Sequence, residues 1–289
     1  MNVRVIARLD IKGPNLVKGI HLEGLRVLGK PELFAREYYE QGADELLYMD
    51  CVASLYQRNS LLDIVERTSR EIFIPLTVGG GLRSLDDIRS ALRAGADKVS
   101  LNTAAIARPE FIREASRRFG SSTIVVSIEV IKDPVRGYLC YTDNGREFTG
   151  VDAIQWAAQA AELGAGEIMV TSIDREGTGK GFDLELTRRI AESVSIPVIA
   201  CGGAGALDHV VAAVVDARAD AVCLASLLHY GTVRRQKERG DFSAEGNTEY
   251  LRNWREYSRI QDATLPQIKA HLQSHGIPCR PSMEMSSHV

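Results

Sequence analysis

The sequence repeats itself at an interval of 122 residues, and this repeat constrains the fold more than any other feature. A repeat of this length is too long for one solenoid unit. We interpret it as half of a single domain. The matched segments at this offset are IPLTVGGG (74–81) with IPVIACGG (196–203), GADELLYMD (42–50) with GAGEIMVTS (164–172), and LDDI (85–88) with LDHV (207–210).

Short apolar segments alternate with amphipathic helical segments along the chain. In one helical segment Leu85, Ile88, Ala91 and Leu92 recur at helical spacing, and Gly95 ends it. Apolar strands that alternate with helices are typical of a parallel sheet. Eight strands and a duplication therefore predict an α/β protein, a (β/α)8 TIM barrel built from two half-barrels. The eight predicted strands are 3–10, 45–50, 75–80, 98–102, 123–130, 167–174, 197–203 and 221–226.

Composition narrows the classes of partner. The 289 residues are 45% hydrophobic and 25% charged, which suits a soluble domain with a large core. A net charge of -3 gives no electrostatic reason to expect nucleic acid or a membrane as partner. The five cysteines are odd in number and lack metal-ligand spacing. We expect reduced cysteines, no metal, no cofactor and, without a leader or a long apolar run, a cytoplasmic location.

Three segments depart from the regular alternation. Residues 12–30 are long and rich in glycine, and we expect a mobile loop at the catalytic face. A polar and then aromatic stretch at about 228–263 reads as an insertion before the last helix. The predicted organisation is one barrel over residues 1–277, with that insertion, and a flexible tail over 278–289.

Two acids stand at corresponding points of the two half-barrels. Asp10 ends the first strand, and Glu129 nearly ends the fifth. Active sites of such barrels lie where strands end, so the two carboxylates are expected to face each other across the mouth. Such a pair suits general acid and general base chemistry. The alternative is two unrelated acids that cap neighbouring helices.

Glycine clusters are also duplicated. Gly79, Gly80 and Gly81 follow the third strand, and Gly202 and Gly203 follow the seventh. Bare backbone amides at a helix start bind phosphate well, so two clusters predict a ligand with a phosphate at each end. Glycines that only make tight turns are the alternative. The residues that accompany the clusters after the fourth and eighth strands are Asn102, Thr103, Ala225 and Ser226.

Four charged residues fall near the starts of strands, where barrel interiors are normally apolar: Arg4, Glu45, Lys98 and Glu167. Arg4 shares side-chain parity with Asp10, so it is expected to point inward. Two cations and two anions could close the base of the barrel as a salt-bridged ring. Such a ring is either a stability device or a gate.

Taken together, the motifs LDIK with Lys18, TVGGG, ADKVSLNTAA, GAGEIMVTSIDREGT and IPVIACGGAG resemble the cyclase subunit of imidazole glycerol phosphate synthase, from histidine biosynthesis. The resemblance covers residues 1 to about 230. It implies an enzyme that combines ammonia with a nucleotide bearing two phosphates. It also implies that a glutaminase subunit docks on the base of the barrel and sends ammonia through it.

The same resemblance implies roles for individual residues. Asp10 is the general acid, and Glu129 stands at the second catalytic carboxylate. The implied gate and interface residues are Arg4, Glu45, Asp97, Lys98 and Glu167. The implied substrate and phosphate residues are Lys18, Gly81, Asn102, Thr103, Thr171, Glu176, Gly177, Gly203, Ala225 and Ser226.

Three positions depart from the family pattern. Glu129 and Glu176 replace aspartates, and Arg8 replaces a small cysteine just below Asp10. These changes keep two alternatives open. One is a paralogous ammonia-using subunit that modifies a nucleotide sugar for surface polysaccharide. The other is a non-catalytic scaffold that activates a glutaminase.

Overall fold

The strands of the protein close into a ring. The computed structural model describes residues 2–52, 61–235 and 259–281. Neighbours around the ring are parallel in the order β1, β4, β5, β6, β7, β10, β11, β12 and back to β1. The strands of the described residues, in chain order, are β1 (Arg4–Lys12), β2 (Asn15–Ile20), β3 (Glu23–Gly29), β4 (Glu45–Asp50), β5 (Leu76–Gly79), β6 (Lys98–Leu101), β7 (Ile124–Asp133), β8 (Gly137–Thr142), β9 (Glu147–Asp152), β10 (Glu167–Ser172), β11 (Val198–Cys201) and β12 (Ala221–Leu224).

Helices follow the barrel strands and surround the ring, so the predicted (β/α)8 barrel is confirmed. The segment around Ile88 and Ala91 forms a helix that buries both side chains, as its spacing predicts. The helices of the described residues are α1 (Pro31–Glu40), α2 (Leu61–Ser69), α3 (Leu85–Arg93), α4 (Thr103–Ala107), α5 (Glu110–Phe119), α6 (Ala153–Glu162), α7 (Leu184–Ser193), α8 (Leu207–Val215), α9 (Ser226–Arg235) and α10 (Leu265–Ser274), with a 3₁₀ turn at Ser121–Thr123.

Two antiparallel hairpins extend from opposite sides of the ring, at its carboxyl end. Strands β2 and β3 follow β1, and strands β8 and β9 follow β7. The prediction of a loop over 12–30 is wrong, because this segment forms the β2–β3 hairpin. Leu16, Val17, Val27 and Leu28 are buried within it. The hairpin therefore has its own apolar face and packs onto the barrel.

Side chains of β1 alternate between two cores. Val5 and Leu9 point outward and belong to the large core between the ring and its helices. Ile6 points inward and joins a smaller cluster inside the barrel. Asp10 and Arg4 share the inward parity of Ile6. The ring thus has a base at the starts of its strands, a packed interior, and a mouth at their carboxyl ends.

The last helix, α10, completes the outer layer. It begins with a capping box between Thr264 and Gln267 and buries Lys269, whose Nζ lies 2.7 Å from Asp44 Oδ1. Beyond it, Val3 N–H donates to the carbonyl of Pro278 (2.8 Å), which holds the start of the predicted tail against the start of β1. Residues 236–258 of the predicted insertion and 282–289 of the tail lie outside the described residues.

Candidate active site

The structure brings Asp10 and Glu129 to opposite sides of the mouth. Their strands, β1 and β7, lie four places apart in a ring of eight. Both side chains point inward, and both residues are buried, at 2% and 6% exposure. Two carboxyl groups therefore share one enclosed site while remaining on separate strands.

Asp10 is held by two cations. Arg8 Nε lies 2.7 Å from Asp10 Oδ1, and Lys18 Nζ lies 3.4 Å from Oδ2. Lys18 also forms an ion pair with Glu176. The β2–β3 hairpin, which carries Lys18, is therefore linked to both Asp10 and Glu176. Burial by itself would raise the pKa of Asp10, but the charges of Arg8 and then Lys18 outweigh it and lower the pKa to about 2. Asp10 is therefore an anion at neutral pH.

Glu129 has the opposite electrostatic environment. Burial raises its pKa to about 7, against the opposing effects of the Arg8 charge and of one hydrogen bond. That bond comes from the Gly145 N–H, which donates to Glu129 Oε2 at 2.9 Å. Two carboxyl groups whose pKa values are pushed apart are suited to different roles in proton transfer. A carboxyl group with a raised pKa is suited to taking up and releasing a proton near neutral pH.

A cavity of about 360 Å³ opens beside Glu129 at the first glycine cluster. Gly80 and Gly81, both in left-handed conformation, form one wall, and Asn102 and Thr103 at the start of α4 form another. Asn102 Oδ1 is buried without a hydrogen-bond partner among the described residues. The cavity thus combines glycine amides, an unsatisfied acceptor and a helix start around a space of ligand size.

The second glycine cluster encloses much less space. A cavity of about 10 Å³ lies among Gly177, Gly203, Ala225 and Ser226, with Glu176 at its edge. The β2–β3 hairpin covers this side, since His21 N–H donates to the carbonyl of Glu176 at 2.9 Å. A side chain at Gly177 would collide with the main chain of Gly19 in the same hairpin. The two halves of the mouth are therefore unequal, one open and one covered.

Four charged side chains form a closed ring at the base of the barrel. Arg4 lies 3.0 Å from Glu45 and 3.1 Å from Glu167. Lys98 lies 2.9 Å from Glu45 and 3.0 Å from Glu167. The predicted arrangement is thus present, with each cation between both anions. Glu45 is anchored further by the hydroxyl of Thr77.

Between the base and the mouth, buried side chains fill the interior of the barrel, and Arg8 is one of them. Apolar side chains, including Ile6, Val125 and Met169, fill the level above the charged ring. Arg8 lies at the next level and is 1% exposed. Its Nη1 lies 3.5 Å from Thr171 Oγ1, and its Nη2 has no hydrogen-bond partner among the described residues. Thr171 therefore lies beside Arg8 inside the barrel and lines neither glycine-cluster cavity.

The base also carries a depression of about 340 Å³. Phe73 and Asp97 are both exposed at its edge, and Phe73 is 80% exposed. Asp97 Oδ2 accepts a hydrogen bond from the Leu76 N–H at 2.9 Å, which fixes its carboxylate at the start of β5. Aromatic side chains such as Phe73 are enriched at protein interfaces relative to the rest of the surface.

The sequence matches a known protein family and several relatives of known name over most of its length. A family described as "histidine biosynthesis protein" matches residues 4–234. The chain belongs to this family. Relatives named "imidazole glycerol phosphate synthase subunit HisF" include one from Legionella pneumophila, 59% identical over 72% of this chain and 98% of its own length. Another, from Thermosynechococcus vestitus, is 45% identical over 96% of this chain and 90% of its own, and one from Thermobifida fusca is 48% identical over 84% and 97%.

In this member of the histidine biosynthesis family, the sequence did not predict the hydrogen bond that the Gly145 N–H donates to Glu129. The Gly145 N–H belongs to the turn of the β8–β9 hairpin, which was absent from the predicted strands. The sequence contained a signal for this hairpin, because Asp143, Asn144 and Gly145 are turn-forming residues between two β-prone runs. In the structure all three residues have positive φ, as such a turn requires.

Within the described parts of the chain, no helix is both long and apolar enough to cross a membrane.

Proposed function

We propose that this chain is the cyclase subunit of an imidazole glycerol phosphate synthase, which uses ammonia on a nucleotide that carries two phosphates. The observation that carries the proposal is the placement of two buried carboxyl groups between two glycine clusters at one barrel mouth. Relatives named as this subunit, at 45–59% identity, support the same reaction.

The two phosphates of the substrate are assigned to the two glycine clusters. Gly81, Asn102 and Thr103 would hold one phosphate in the open cavity. Gly177, Gly203, Ala225 and Ser226 would hold the other once the β2–β3 hairpin moves away from them, with Lys18 supplying positive charge nearby. Because the clusters lie on opposite halves, a substrate held at both ends places its middle between Asp10 and Glu129.

Asp10 and Glu129 would have different roles in the reaction. Addition of ammonia to a carbonyl carbon and the later ring closure require protons to be delivered and removed. Glu129, with a pKa of about 7, is suited to both tasks at neutral pH. Asp10 stays ionised beside Arg8 and Lys18, so it stabilises positive charge on the reacting nitrogen and orients Lys18. This division differs from the general-acid role that the family resemblance implies for Asp10.

A glutaminase subunit is assigned to the base of the barrel. Phe73 and Asp97 would contact it, and the ring of Arg4, Glu45, Lys98 and Glu167 would lie under its ammonia outlet. The exposed Phe73 ring and the depression of about 340 Å³ beside it support this face over the others. Ammonia would then pass the ring and the apolar level before it reaches Arg8.

The activity is tested with purified chain, the two-phosphate histidine-pathway nucleotide and a high concentration of ammonium salt at about pH 8. We expect consumption of the nucleotide without any partner, and a loss of about a hundredfold or more in Glu129→Gln. No consumption at any ammonia concentration would refute the proposal. An unchanged rate in Glu129→Gln would refute only its proton role.

The docking face is tested separately with the glutaminase subunit and glutamine. Phe73→Ala is expected to lower glutamine-dependent turnover while ammonia-dependent turnover stays the same. Val135→Ala is the matched control, because Val135 is 92% exposed but lies at the β7–β8 turn on the mouth side. Equal effects of the two variants would exclude the base as the docking face.

A further inference from the structure

Two cysteines lie side by side in the barrel wall, beneath the second glycine cluster. Cys201 on β11 and Cys223 on β12 are register partners on neighbouring parallel strands. Adjacent strands lie about 4.8 Å apart, and disulfides join Cα atoms about 4.4–6.8 Å apart. Both side chains belong to the cluster inside the barrel, so they point in the same direction. Strand pairing therefore holds the two sulfurs in reach of each other.

The two sulfurs differ in their surroundings. Arg8 Nη1 lies 3.3 Å from Cys201 Sγ, and the Cys223 side chain lies beside Cys201 on the neighbouring strand, on the same side of the barrel wall. The neighbouring Cys223 thiol and the charge of Arg8 lower the pKa of Cys201, despite burial. Burial and the neighbouring Cys201 raise the pKa of Cys223. The contact with the Arg8 guanidinium therefore favours the thiolate at Cys201 over Cys223.

Access to the pair is narrow. Both cysteines line the cavity of about 10 Å³ under Gly203 and Ser226, which is about the space of one water molecule. Hydrogen peroxide is only slightly larger than a water molecule, whereas aromatic or maleimide thiol reagents are far larger than this cavity. Access to the two thiols is thus selective by size.

From this geometry we propose that Cys201 and Cys223 form an oxidation site for small hydroperoxides, with Cys201 as the reacting sulfur and Cys223 as the resolving one. Cys201 thiolate attacks a peroxide oxygen, the O–O bond breaks, and Cys201 sulfenic acid and hydroxide are formed. The Cys223 sulfur, which gives up its proton, then attacks Cys201 sulfur. The S–O bond breaks, water leaves, and a Cys201–Cys223 disulfide remains.

The disulfide would act on the active site through Arg8. Oxidation removes the thiolate that faces Arg8 Nη1, which leaves Asp10 as the neighbouring anion of that guanidinium. It also joins β11 and β12 at the point where Gly202 and Ala225 begin the second glycine cluster. This inference does not depend on the proposed reaction, since neither thiol takes part in it.

The test treats the reduced, folded chain with a small excess of hydrogen peroxide at pH 7.5. After unfolding in denaturant with an alkylating reagent, free thiols are expected to fall from five to three per chain. Peptide mapping of the unmutated protein is expected to recover one linked pair, the peptides of Cys201 and Cys223. A disulfide reductant should restore all five thiols.

Cysteine-to-serine variants identify the two thiols that form the link. Cys201→Ser and Cys223→Ser should each abolish the link, whereas Cys51→Ser should keep it. Cys51 is the matched control because it is also buried and lines the larger cavity, but burial raises the pKa of its thiol. Five unchanged thiols, a link that involves another cysteine, or overoxidised Cys201 without a link would each overturn the proposal.

Discussion

Replacing Glu129 by glutamine should stabilise the protein at alkaline pH while it removes activity. The folded state raises the pKa of Glu129 from 4.5 to about 7, so it holds the proton more tightly than the unfolded chain does. Stability from this group is therefore fully present below about pH 4.5 and is lost as pH rises through 7. Glutamine keeps the acceptor for the Gly145 N–H but has no charge to bury.

The size of this change in stability follows from the shift in the pKa of Glu129. At about 1.4 kcal/mol for each pKa unit, the raised pKa of Glu129 lowers the free energy of unfolding, relative to its value with the group protonated, by about 3 kcal/mol at pH 8 and about 1 kcal/mol at pH 5. The stability difference between Glu129→Gln and its parent should therefore move in favour of the variant by about 2 kcal/mol between these two pH values. Urea unfolding at pH 5 and pH 8, with equal slopes, measures it.

Asp10→Asn serves as the matched control, because the same change on the opposite acid should have the opposite sign. The folded pKa of Asp10 is lowered from 3.8 to about 2, so its stabilisation is present above about pH 4 and is lost as pH falls through 2. Removing that charge leaves Arg8 and Lys18 buried near one another, at a cost of about 3–5 kcal/mol at both pH 5 and pH 8. If Glu129→Gln shows no gain between pH 5 and pH 8, Glu129 is ionised in the folded protein and its proposed proton role fails.

Two further predictions concern the base and the second glycine cluster. Lys98→Met breaks two of the four bridges of the charged ring, and we expect more glutamine hydrolysed per nucleotide cyclised, measured as the ratio of glutamate to cyclised product in the complex with the glutaminase. Gly203→Ala adds a methyl group that collides with the Gly181 carbonyl oxygen, at a φ of 109°, and should weaken binding of inorganic phosphate at least tenfold by calorimetry. Gly276→Ala, also at positive φ but with open space around its Cβ position, should leave phosphate binding unchanged.

The fold was predictable from the sequence because its signals are local and repeated. Apolar strands, helix stops such as Gly95 and the 122-residue repeat together specify a ring of eight strands. The β2–β3 hairpin was not predictable in the same way. Glycines such as Gly24 are as frequent in irregular loops as in hairpin turns, and only the barrel surface beneath gives Leu16 and Val27 a place to be buried.

The identities of the candidate site residues were also predictable, but their protonation was not. Asp10 and Glu129 stand at matching points in the sequence, yet the structure gives them pKa values of about 2 and about 7. The difference depends on which acid Arg8 and Lys18 approach. Parity places Arg8 inside the barrel, but no sequence pattern shows that its guanidinium turns to Asp10 and Cys201.

The charged ring at the base is a cycle, and a cycle opens differently from a set of separate pairs. Each of its four members contacts both neighbours of opposite sign. When one side chain swings away, two contacts are lost together, but the other three members remain joined in an open chain. The displacement of any one side chain therefore leaves two of the four ion pairs in place.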